Sequence, residues 1–318
     1  MLILIGILSF SKAKGKELMQ KYTLKKSLYR NQMIMGYVLI LPALIFFAVF
    51  FAYSLIQAVR YSTLDWDGVL QPAYVGFQNY LDLFSDASFW KAFINNIFYT
   101  FGILAFGVLP GLVLAYILSR PNIKGRTLFR SVYFFPRIVS AVVYGAVWKW
   151  IYDPRNGLIT MIVDMLGGNG SDIAITGNVK TAMLGITITG GWTYFGFCMV
   201  IFIAAFMGTD MELEEAARLD GAGKWQLFYH VTIPQIKPVI NMVLVYTVID
   251  SFKVYDLVLV MTSGGPNDAT QIMTYYIYKQ AFNFNKFGYG SAAAILLGLF
   301  MMFFTVIYNK ALGKEEEM

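Results

Sequence analysis

Six stretches of the chain, 34–59, 93–118, 128–151, 182–207, 239–261 and 291–308, are apolar with few interruptions. Each is long enough to cross the ~30 Å hydrocarbon layer of a bilayer as a helix rising ~1.5 Å per residue. Composition agrees: 58% of residues are hydrophobic and 14% charged, and mean hydropathy is +0.58. Too few charges remain to clothe a soluble domain of this length. The chain is therefore expected to be an all-α integral membrane protein with six transmembrane helices, which puts both termini on one side.

The basic residues orient it. The N-terminal tail, the second connection, the fourth connection and the C-terminus together carry sixteen Lys and Arg, whereas the alternate set carries seven. The positive-inside rule assigns the richer set to the cytoplasm. The net charge of +6 is then accounted for by inner loops facing anionic lipid, without nucleic acid as a partner. Residues 1–30 read as a basic cytoplasmic tail, 31–311 as the membrane domain with a cytoplasmic loop at 208–238, and 312–318 as a second cytoplasmic tail. The apolar start, Met1 to Phe10, is too short to span and lacks the cationic start of a secretory signal. Two readings of it stay open: a membrane-surface segment, or translation from an upstream start codon. The outer connections are modest, and residues 157–166 are expected to form a short helix along the outer surface.

Catalytic chemistry finds no footing. There is no Gly-x-x-x-x-Gly-Lys-Ser/Thr loop; Gly221-Ala222-Gly223-Lys224 lacks both the spacing and the following hydroxyl. The single Cys, Cys198, lies inside the fourth span, and the single His, His230, has no Cys neighbour, so neither a disulfide nor a thiol metal cluster is available. Glu214 and Glu215 belong to a solvated helix face. No catalytic residue, metal or cofactor is assigned to this chain.

The loop at 208–238 carries more information. Residues 211–219 are rich in Glu, Ala and Leu with acids in the first turn, which predicts a short surface helix. Gly221 and Gly223 permit a turn, residues 225–231 resume a helix, and Pro234 limits it. Glu215-Ala216-Ala217, three free positions, Gly221, and then Val231-Thr232-Ile233-Pro234 reproduce the spacing of a known segment, with Val231 and Ile233 as conservative departures. The segment resembles the EAA loop of bacterial ABC-importer permeases. That resemblance implies the type I importer permease fold with a cytoplasmic coupling helix, in a multi-pass protein of the bacterial cytoplasmic membrane. It implies that Glu215, Ala216, Ala217, Asp220, Gly221, Gly223 and Pro234 couple to a cytoplasmic ATPase dimer. ATP and Mg would be held there, not here.

Within the spans the unusual residues are polar. Asp250, Lys253 and Asp256 fall in the fifth span at i, i+3 spacing, and charge near the bilayer centre is costly unless it faces a partner or a wet path. Two readings are compatible: a self-neutralising triplet buried between helices, with Lys253 beside both carboxylates, or a polar lining with Asp250 nearest mid-membrane. Arg137, after Pro136, is read as snorkelling to the cytoplasmic end of the third span. The outer half of the fourth span holds Trp192, Thr193, Tyr194, Phe195 and Phe197.

Asp153-Pro154 with Gly157-Leu158, Phe252-Lys253-Val254-Tyr255-Asp256 and Thr262-Ser263-Gly264-Gly265-Pro266 make the chain resemble the larger-subunit, maltose-type branch of carbohydrate importer permeases. Counted from the shared motifs, that branch's sugar-contacting positions fall on Thr193, Tyr194, Phe197, Asp250, Ser251 and Val254. Lys253 joins the expected path as their charged neighbour. The residue types differ, so location carries over and specificity does not. The resemblance implies a second six-span permease, an extracytoplasmic solute-binding protein and a sugar or oligosaccharide cargo. Glycerol phosphate or another polyol is the alternative within the class, and a secondary transporter or channel the alternative outside it.

Overall fold

The computed structural model describes residue 33 and residues 35–119 and 123–316, with side chains as far as residue 310. The expectations for residues 1–30 lie outside the described residues. The chain divides into two compact units, residues 1–60 and 61–318.

Residues 35–60 of the first unit belong to one helix, α1 (Met35–Tyr61), which ends at the unit boundary. It is apolar around its circumference, with Phe46 stacked on Phe50 and Phe47 on Phe51 at i, i+4 spacing.

The second unit opens with two short strands, β1 (Leu64–Asp65) and β2 (Ala73–Tyr74), paired antiparallel with Leu64 opposite Tyr74. Helices follow: α2 (Gln78–Ser85), α3 (Ala87–Ser119), α4 (Arg126–Ile138), α5 (Ala141–Ile151) and α6 (Leu158–Met165). Then come α7 (Ala182–Met207), α8 (Met211–Leu219), α9 (Lys224–Ser251), α10 (Asp256–Met261), α11 (Met273–Tyr278) and α12 (Phe287–Glu316). Among the described residues, α1, α3, α7, α9 and α12 are each long and apolar enough to cross a membrane, and α4 with α5 makes a sixth crossing bent by 98°. Six spans therefore hold, and α7 has the bounds expected for the fourth. A short helix is present after the third span, as α6.

Two expectations need correction. The third span is not one rod, because Val139 and Ser140 take extended conformations (ψ 137° and 141°) and break it. The fifth does not run from 239 to 261. Pro234 sits in the first turn of a helical segment that follows a π-turn at Phe228–Thr232, where its missing N–H costs nothing, so α9 begins at Lys224 and is already ending at Ser251.

Packing centres on α7, which α3 and α4 contact most extensively and α9 less so. Tyr99 and Ile103 of α3, Ile186 and Phe202 of α7, and Ile236 and Val243 of α9 share one buried cluster. A second joins Leu83 of α2, Phe89 of α3, Phe252, Tyr276 of α11 and Leu297 of α12. Lipid gives helices no hydrophobic reason to associate, so backbones approach through small residues. Gly111 of α3 is one such point, where a Cβ would come within 2.7 Å of the Phe195 carbonyl oxygen and 2.8 Å of the Cys198 Cβ. Gly196 of α7 is another, where a Cβ would collide with the Tyr133 carbonyl on α4.

Asp86 ties the loop end of the second cluster together. Its Oδ1 caps α3 by accepting the Ser88 N–H at 2.7 Å, and its Oδ2 accepts the hydroxyls of Tyr276 at 2.6 Å and Tyr289 at 3.0 Å. Burial alone would raise this carboxyl, but the two hydroxyls and the backbone N–H donors outweigh it and hold it below the usual carboxylate range.

Two outcomes follow. Gly196→Leu should destabilise the detergent-solubilised protein by about 1–3 kcal/mol or more, the range for overpacking, read as a lowered Tm; Gly298→Ala, with open space around its Cα, should leave Tm unchanged. Because the folded carboxyl of Asp86 titrates below its unfolded value, its contribution is complete above that unfolded value and is lost as pH falls through the folded one. Asp86→Asn should therefore flatten the acid limb of a Tm-against-pH profile; a parallel profile would contradict the assignment.

Candidate functional site

The two features that the sequence marks out, the loop at 208–238 and the polar residues of the fourth and fifth spans, lie at opposite ends of α9. At its beginning, α8 is capped by Asp210, whose Oδ1 accepts the Glu212 N–H at 2.9 Å. It closes at Gly221 (φ 86°) with Ala222 N–H bonded to Ala217 O at 3.0 Å and Gly221 N–H to Arg218 O at 3.1 Å. Those paired bonds are a Schellman motif, which wants a left-handed residue where Gly221 stands. The Gly223 N–H then meets Gln226 Oε1 at 2.8 Å as α9 starts.

Two side-chain bonds fasten this knob to α9. The Asp210 N–H donates to Gln235 Oε1 at 2.7 Å, and Thr232 donates to Glu214 Oε1 at 2.9 Å. Glu215, Ala216, Asp220, Gly221, Gly223 and Pro234 are exposed, with Ala217 half-buried. Leu219 and Trp225 present large apolar surfaces, 90% and 75% exposed. The knob is internally braced and externally bare.

At the other end the helix stops inside the bundle. Its last carbonyls need partners, because an unpaired backbone group away from water is costly. Asn96 of α3, wholly buried, donates to the Ser251 carbonyl at 3.0 Å and accepts the Met273 N–H at 3.2 Å. Thr274 donates to the Phe252 carbonyl at 2.7 Å. Further along α3, Asn95 donates to the Asp268 and Gln271 carbonyls and Lys91 to Asn267 O at 2.6 Å. These bonds hold the loop that contains Thr262-Ser263-Gly264-Gly265-Pro266, in which Ser263 and Gly264 have positive φ.

Asp250 stands one residue before that stop, at the end of α9. The helical triplet with Lys253 and Asp256 does not exist: the helix ends at Ser251, and Lys253 and Asp256 are exposed in and after the break. Asp250 pairs instead with Arg137, Nη2 to Oδ2 at 3.4 Å. Arg137 therefore does not snorkel. It is in the last turn of α4, beside the bend, and its guanidinium carbon lies 4.9 Å from the ring centroids of both Tyr194 and Phe197, within cation–π range. The Tyr194 hydroxyl donates to Asp250 Oδ2 at 2.8 Å, and Tyr246 packs on Phe197 with centroids 5.4 Å apart.

Of the expected path residues, the fold thus gathers Tyr194, Phe197 and Asp250 into one cluster and adds Arg137 and Tyr246. Thr193 is buried, its hydroxyl bonded to the Gly190 carbonyl at 2.8 Å within α7. Ser251 is buried with its Oγ unpaired among the described residues. Val254 packs half-buried against the main core. Lys253 is not part of the cluster. Arg137 was visible in the sequence as a cation within the third span, but only the bend of that span brings it to Asp250. Tyr246, one helical turn before Asp250, gave no signal beyond that spacing.

Comparison with known proteins places this arrangement. Residues 107–314 match the family described as the binding-protein-dependent transport system inner membrane component. A probable ABC transporter permease of Bacillus subtilis is 32% identical over 287 residues, covering 89% of this chain and 98% of that one. The trehalose/maltose transport system permease of Thermococcus litoralis is 30% identical, covering 87% and 92%. The fold is shared with a chain of a bacterial alginate ABC transporter solved in complex with an alginate pentasaccharide-bound periplasmic protein, at a TM-score of 0.78 and 21% identity over 90% and 95% of the two chains. With multiple spans, a bent third crossing and a family match over most of its length, the chain belongs to the inner-membrane permease components of binding-protein-dependent transport systems.

Proposed function

We propose that this chain is one half of the membrane path of an ATP-driven importer for a sugar or oligosaccharide. The observation that carries the reading is the continuity of α9. One unbroken 28-residue helix begins in an exposed, braced knob and ends at an aromatic and charged cluster inside the bundle. From Pro234 to Asp250 it advances roughly 24 Å at ~1.5 Å per residue. A displacement of the knob by a docked partner therefore reaches the cluster through a single rigid element.

The partner at the knob is a cytoplasmic ATPase dimer, which holds ATP and Mg. Glu215 and Asp220 offer polar contacts, Gly221 sets the turn, and the bare Leu219 and Trp225 supply apolar area. A second six-span permease completes the path. An extracytoplasmic binding protein meets the connections on the opposite side, and both termini face the cytoplasm. ATP binding closes the ATPase pair, draws the two knobs together and turns the cavity outward to receive cargo; hydrolysis resets it.

Carbohydrate is the cargo that the cluster suits. Tyr194, Phe197 and Tyr246 offer aromatic faces, and Asp250 and Arg137 offer an acceptor and donors for hydroxyl groups. The relative named for trehalose and maltose transport supports the same class. A phosphate ester fits less well, because the one cation in the cluster is already neutralised by Asp250.

The test is affinity purification of the tagged chain from its native membrane, with mass spectrometry of what copurifies. A second permease, a nucleotide-binding subunit and a solute-binding protein are expected. Glu215→Lys, or Gly221→Val at a φ of 86° where a β-branched residue is strained, should cut recovery of the nucleotide-binding subunit by about tenfold or more, equivalent to ~1.4 kcal/mol. The second permease should stay bound. Undiminished recovery of the ATPase subunit in both variants would rule out the knob as its dock.

A further inference from the structure

The ion pair between α4 and α9 is built unlike a structural salt bridge. An Arg–carboxylate pair that locks two helices is commonly bidentate with N–H···O distances of about 2.7–2.9 Å. Arg137 donates through Nη2 alone, to Asp250 Oδ2 and to the Tyr246 hydroxyl, at 3.4 Å in both cases. Among the described residues, Nε and Nη1 of Arg137 and Oδ1 of Asp250 have no hydrogen-bond partner. The two side chains keep 27% and 30% of their surface accessible.

Their walls hold them in place. Tyr194 fixes the carboxylate through a 2.8 Å bond, and the rings of Tyr194 and Phe197 flank the guanidinium. The result is a pre-positioned pair of zero net charge with spare donors and a spare acceptor. A sugar hydroxyl uses both kinds of group. A carboxylate or phosphate would gain Arg137 but meet Asp250 at the same place, and like charges so close disfavour binding.

We infer that Arg137 is a specificity-determining residue: neutralised by Asp250, it admits uncharged carbohydrate to the path and gives acidic carbohydrate no advantage. The inference rests on the carbohydrate reading of the path. It assigns the discrimination to the balance between two residues on different helices, so removing either charge should tip it in opposite directions.

The experiment is equilibrium binding to the purified permease–ATPase complex of matched neutral and acidic trisaccharides: maltotriose, cellotriose and galactotriose, each against its uronic-acid counterpart. The wild-type complex should bind at least one neutral member about tenfold or more tightly than its acidic partner. Asp250→Asn, which keeps an acceptor for Tyr194, should shift that ratio toward the acidic sugar by about tenfold or more. Arg137→Gln should shift it the other way. The exchange Arg137→Asp with Asp250→Arg keeps the pair neutral and should restore the wild-type ratio; where a single variant fails to assemble, a preference for one charge emerging in the exchange overturns the inference. Ratios within about twofold of wild type in both single variants, with neutral sugar still bound, would overturn it while leaving the carbohydrate path standing. A wild-type complex that binds none of the six sugars would overturn both.

Discussion

Inside a bilayer an unmet backbone N–H or C=O has no water to turn to, so a helix that stops within the bundle needs partners for its last turn. Among the described residues, helix is broken within the third span at Val139-Ser140 and within the fifth after Ser251. The second break is tolerated because Asn96 and Thr274 take the carbonyls of Ser251 and Phe252. The first leaves α5 to start afresh, with the Ser140 carbonyl accepting the N–H groups of Val143 and Tyr144. The two breaks bring Arg137 and Asp250, the residues beside them, within reach of each other.

That meeting explains how two charges sit within membrane-spanning elements. Either alone would be costly in hydrocarbon. Together, flanked by Tyr194 and Phe197 and bonded by the Tyr194 hydroxyl, they cancel without closing on each other. The same helix that carries Asp250 begins in the knob that Asp210, Glu214, Thr232 and Gln235 brace. Site and dock are thus two ends of one element, and close packing at Gly111 and Gly196 sets α3 and α4 against the α7 that carries the aromatic wall.

The spans were legible because apolar length is a local property. The fourth matched in both bounds, and the knob was readable as helix, turn and helix from its formers and glycines. The fifth span was misread because Pro234 looks like a breaker, whereas it occupies a first turn and a π-turn carries the helix through from Lys224. The triplet of Asp250, Lys253 and Asp256 was misread for the mirror-image reason: helical spacing was assumed where the helix ends. Arg137 was assigned to the headgroups because depth was counted along a straight span, and the span is bent by 98°.

The sequence by itself determined which segments must leave water, which loop is exposed on the basic side, and that no nucleotide loop is present, since these depend on composition and on spacing within a few turns. Only the tertiary structure decided which charge neutralises which. Arg137 and Asp250 are far apart in the chain, on helices that each end beside them, and helix ends inside a bundle are set by side chains from elsewhere that meet the freed backbone groups. Pairing across such ends has no local periodicity, so no pattern along the chain could announce it.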